Sequence, residues 1–136
     1  MKKIMWMGFV SGIVMLILTL LVGFLFMMIP SVAADYKNPA IMRPMQDPLM
    51  TLFYVYPFLF GGILAWVWER SKTLFGGSIW QKGTRFGLAM FLITTVPGMF
   101  ITYACMPYSF MTVVSWTVQG LLSTLAAGWM FARMSK

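Results

Sequence analysis

Side chains that ordinarily carry catalysis are scarce in this sequence: it has no histidine, a single cysteine (Cys105) and three carboxylates, Asp35, Asp47 and Glu69. Without histidine there is no Ser-His-Asp relay and no histidine ligand for haem. One cysteine allows neither an internal disulfide nor a multi-cysteine metal site. The carboxylates fall in connections or at the ends of long apolar runs, so no ionisable group stands in the middle of a run. Proton-driven transporters need such groups as relays. The composition therefore points away from an enzyme and implies no cofactor.

What the apolar runs do hold is a set of neutral polar residues at similar depth: Thr19, Tyr56, Thr94, Thr95 and Gln119. The primary amide of Gln119 is expensive to leave unbonded in hydrocarbon, so it is expected to face other helices and bond a group from another span. Nearby stand the helix breakers Pro57, Pro97 and Gly98. Pro57 cannot donate to the carbonyl of Phe53, nor Pro97 to that of Ile93, and a kink is expected at each. Two uses fit this layer. One is glue between helices, each bond worth ~0.6–2 kcal/mol; the other is a binding or permeation site for a small neutral solute at the broken helices.

Thioethers are a third kind of chemical group here. Met27, Met28, Met42, Met45, Met50, Met106 and Met111 cluster in sequence around two connections, beside Cys105. Thioether and thiolate suit Cu(I), and the spacing of Met42, Met45 and Met50 is compatible with soft-metal binding. Methionine also fills apolar space, and Met1, Met5, Met7, Met130 and Met134 lie far from that cluster. Packing accounts for most of them, and copper handling is the weakest functional alternative.

Four apolar runs must position these groups: Ile4 to Ile29, Pro48 to Trp68, Phe86 to Met106 and Pro107 to Ala132. Each meets the ~20 residues needed to cross a bilayer as a helix. A composition of 60% hydrophobic and 10% charged residues fits a membrane protein rather than a soluble domain. Met1-Lys2-Lys3, the first run and Ser31-Val32-Ala33-Ala34 look like a secretory leader. The run is far longer than a leader's apolar core of about 7–15 residues, so a retained span is expected.

The connections carry the orientation. Eight basic residues (Lys2, Lys3, Arg70, Lys72, Lys82, Arg85, Arg133, Lys136) fall on one side and two (Lys37, Arg43) on the other. Positive charge marks the cytoplasmic side, so both termini are expected there, with Trp6, Trp66, Trp68, Trp80 and Trp129 as a belt at that boundary. The net charge of +7 then reads as attraction to anionic lipid rather than to nucleic acid. Asp47-Pro48 reads as a helix start, Gly76-Gly77 as a turn and Ser78 to Gln81 as a capping box; Pro30, Pro39 and Pro44 should keep the 30–47 connection free of regular helix.

Small residues complete the pattern. Gly8 and Gly12, Gly83 and Gly87, and the Gly120, Thr124, Gly128 face allow close backbone approach, either within the chain or against another subunit. Trp66-x3-Arg70 and Trp129-x3-Arg133 suggest a duplicated hairpin, residues 1–72 and 78–136, within one domain spanning 1–136. The expectation is an all-α membrane bundle of four transmembrane helices in two antiparallel hairpins, in a bacterial or archaeal inner membrane. It would act without catalysis, as an accessory or assembly subunit of a larger complex or with copies of itself. The rival reading is a channel or facilitator for a small neutral solute.

Overall fold

The computed structural model describes residues 1–135, and all regular structure among them is helical. Six α-helices follow in order: α1 (Lys2–Phe26), α2 (Pro30–Lys37), α3 (Thr51–Ser71), α4 (Ile79–Met90), α5 (Val96–Cys105) and α6 (Phe110–Met134). Short 3-10 turns, Pro48–Met50 and Lys72–Leu74, flank α3, and a π-helical turn, Phe91–Thr95, joins α4 to α5 in one rod. Four rods of 25 to 27 residues (Lys2–Phe26, Pro48–Leu74, Ile79–Cys105 and Phe110–Met134) are long and apolar enough to cross a membrane.

Local chemistry sets where each rod begins. Asp47 accepts the Leu49 N–H at 2.8 Å with Pro48 in the first helical position, as expected. Gly77 takes the left-handed turn (φ 104°) before the reciprocal Ser78–Gln81 capping box, so the third rod starts at Ile79, ahead of the apolar run. Ser109 accepts the Thr112 N–H at 3.3 Å, so the fourth begins at Phe110 and not at Pro107. The first ends at Phe26, short of Ile29. One expectation is overturned: Pro30 opens a helix instead of preventing one, because at the first helical position its missing N–H is not needed, and α2 continues to Lys37.

The proline breaks take different forms. α3 runs through Pro57 as one helix, with Pro57 itself buried. Before Pro97 the backbone widens into the π turn, and the Thr94 hydroxyl donates to the Met90 carbonyl at 2.7 Å. That turn carries the irregularity, while Pro97 sits near the start of α5.

α1 packs against α3 and α6, and α6 packs against α4, so the first and last helices stand side by side. The glycines expected at interfaces are all used within the chain. A Cβ on Gly8 would lie 2.7 Å from the Gly62 Cα, one on Gly12 2.9 Å from the Phe58 Cα, and one on Gly83 2.8 Å from the Trp129 Cα. Gly87 meets Leu125, and Gly128 sits on the Gly83 carbonyl. Packing within the chain accounts for these positions, while Gly62 has open space where its Cβ would be.

At the end bearing the termini, Met7, Leu64, Ala65, Trp68, Phe86, Ala127 and Phe131 form a closed core. Trp68 and Phe86 meet edge to face at 5.1 Å, and the Trp68 indole donates to the Ser135 hydroxyl at 2.7 Å. Trp68 is thus a core residue, only 2% exposed, and not part of a boundary belt. Trp129, half-buried, donates to Thr84 at 2.8 Å; Trp6, Trp66 and Trp80 are exposed. Arg70 lies over Trp66 at 4.8 Å, whereas Arg133 lies over Trp80 at 5.7 Å and not over Trp129. Glu69 holds Lys72 at 2.7 Å and Lys3 at 3.8 Å. Lys136, counted among the basic residues, lies outside the described residues.

Candidate functional site: a cleft between α3 and α5

Away from that core the bundle opens. The first six residues of α3, Thr51–Tyr56, are exposed, and α5 has no buried residue. Between them is a partly open cavity of about 320 Å³. Its floor comes from Met15 and Thr19 on α1 and from Trp116, Gln119, Gly120 and Ser123 on α6. Phe53, Tyr56, Pro57 and Phe60 of α3 form one wall, and Thr94, Thr95 and Met99 form the other. All five residues of the neutral polar layer thus border one space, together with Pro57 and Gly120. Pro97 and Gly98 lie behind it, on the helix that carries Met99.

Each helix reaches the cleft for a local reason. The π turn inserts a residue into the α4–α5 rod, and Thr95 faces Gly120 on α6, where a Cβ would collide with it. On α6, Ser115, Gln119 and Ser123 recur every four residues and so share one buried stripe. Gln119 is only 9% exposed, as expected, but its amide donates to Ser115 on its own helix at 3.2 Å rather than to another span. The gap between α3 and α5 is the physical reason: no polar group from those helices comes within hydrogen-bonding distance, and a hydroxyl one turn back does.

A second polar cluster, not anticipated from the sequence, sits over the cleft. The Asp35 carboxylate of α2 accepts the Ser109 N–H at 2.8 Å and the Thr112 hydroxyl at 2.6 Å, capping α6 from outside. Burial pushes the Asp35 carboxyl up, but these hydrogen bonds outweigh it and hold the group below its ordinary 3.8. The next residue, Tyr36, accepts the Trp116 indole N–H at 2.9 Å, and Tyr108 donates to the Ile41 carbonyl at 3.0 Å while meeting Trp116 edge to face at 4.8 Å. Trp116 lines the cleft, so the 30–47 connection clamps one of its lining residues. The clue was the pairing of an N-cap serine with Thr112 three residues on, a site able to receive a carboxylate.

Met42 lies with its sulfur 4.0 Å from the Tyr108 hydroxyl, while Met28, Met45 and Met106 are exposed, as is Cys105. Among the described residues no three His, Cys, Asp or Glu side chains gather where they could hold a metal.

The fold and the cleft define a class: an all-helical bundle with four helices able to span a membrane and a neutral pocket between two of them. No family model, curated protein or solved structure matches the chain.

Proposed function

We propose that this protein is a non-enzymatic integral membrane protein that works by holding a small neutral molecule in the cleft between α3 and α5. The observation that carries this reading is the convergence of Thr19, Tyr56, Thr94, Thr95 and Gln119 on one cavity, contributed by all four spans. A through-channel is a poorer account, because a path beyond the cleft would have to cross the buried Trp68, Phe86 and Phe131. We take the membrane to be the inner membrane of a bacterial or archaeal cell; the charge distribution supports an orientation with both termini in the cytoplasm and anionic lipid against that face.

The test is what the protein carries. Extraction in mild detergent followed by native mass measurement should return the chain with an added small-molecule mass that organic solvent releases. Thr19→Trp, which fills the floor of the cleft, should return the chain without it. A wild-type chain that carries no such mass overturns the reading.

A second reading, an accessory or assembly subunit, is favoured by α5: none of its residues is buried, and Phe100 is 77% exposed. The same measurement would then show a protein neighbour, or a second copy, retained in place of a small molecule.

A further inference from the structure

We propose that the molecule held in the cleft is a flat neutral ring bearing carbonyl oxygens on an apolar tail, the chemistry of a membrane quinone; this rests on the cleft being a binding site. Donors set the head group. Among the described residues the Tyr56, Thr95 and Thr19 hydroxyls bond no other residue, and neither threonine oxygen is sealed from solvent. Gln119 gives one N–H to Ser115 and keeps a second. The spare Gln119 N–H can only donate and so asks for an acceptor oxygen, and a second ring carbonyl lets the hydroxyls, which can donate or accept, donate as well.

Charge and shape narrow the class further. No charged side chain lines the cleft, so an ionised head group would be stranded there at high cost. The Tyr56 and Phe60 rings stack on each other, 5.6 Å apart and within 10° of parallel, a stack that a further flat ring can extend on the exposed Tyr56. A cavity of about 320 Å³ lies at the small end of the ~300–1,000 Å³ range of ligand pockets, room for one ring system but not for a long tail. Tyr56, 59% exposed, marks the open side between α3 and α5, through which a tail would pass into lipid.

Calorimetric titration of the whole chain in lipid nanodiscs tests this, with a decyl-tailed benzoquinone as probe and decanol as the tail-only control. The expected result is saturable binding of the quinone at one per chain, weakened about ten-fold by Tyr56→Phe and by Gln119→Leu. Both variants should keep the wild-type helix content; if Gln119→Leu does not, Tyr56→Phe at the mouth decides. Equal binding of decanol and quinone would overturn the ring assignment while leaving the cleft as a binding site. Quinone binding that neither variant weakens would place the site elsewhere and overturn the proposal. If neither probe saturates, this proposal falls; the reading it rests on stands or falls separately, by whether the purified chain carries a small molecule.

Discussion

Gln119 donates to a hydroxyl on its own helix, so its removal strands no partner in another span. Gln119→Leu should shift stability by less than ~1 kcal/mol, measured as the unfolding midpoint in detergent, because an apolar side chain of similar length gives up the bond without leaving a charge behind. A loss several times larger would mean the amide bonds a second helix. Asp35 behaves differently. Its carboxyl titrates below the ordinary 3.8 in the folded chain, so its contribution is complete above that value and is lost as pH falls through the lower folded value. Thermal melting should therefore decline on acidification more steeply in the wild type than in Asp35→Asn. Asp47 is also held low, by the Leu49 N–H and by Arg43, so the difference between the two proteins isolates Asp35. Parallel acid limbs would rule out the clamp as a stabilising contact.

Between helices, the decisive contacts are made by what is absent from glycine. Gly128 rests on the Gly83 carbonyl, and a methyl group there must push backbone away. Gly128→Ala should cost ~1–3 kcal/mol in a thermal melt. Gly98 has open space where its Cβ would be, so Gly98→Ala should be neutral or stabilising by up to ~1 kcal/mol through helix propensity. Equal effects at the two positions would refute the close approach of α4 and α6. These glycines also mark how far the sequence could be read. Their spacing announced helix interfaces, and Asp47-Pro48 and Ser78 to Gln81 announced helix starts, because such features are written in neighbouring residues. Which helices meet is decided by contacts far apart in the chain, so the partnership of α1 with α6 was not legible. Nor was the clamp between Asp35 and Thr112. The polar layer was readable as depth along each span; that it encloses a space depended on α3 and α5 standing apart, which no local pattern records. α2 was missed because its proline was read as a breaker without asking which position it would hold.

For the molecule as a whole, the charge count is the feature from which an orientation is predicted. In a Cys105→Ser background, cysteines at Asn38 and Ser78 should react oppositely with a membrane-impermeant thiol reagent on intact cells, Asn38→Cys labelling at once and Ser78→Cys after lysis. The reverse pattern would invert the protein. The side-by-side placement of α1 and α6 bears on something else, the order of manufacture. A ribosome delivers α1 well before α6, so α1 must wait for one of its two neighbours until Phe110–Met134 has been made. A nascent chain ended before Phe110 would hold α1 against α3 alone, with Gly83 and Gly87 turned towards lipid in place of Trp129 and Leu125. The final twenty-five helical residues therefore close both hairpins' common seam in a single event. A chain interrupted anywhere earlier would leave that seam open.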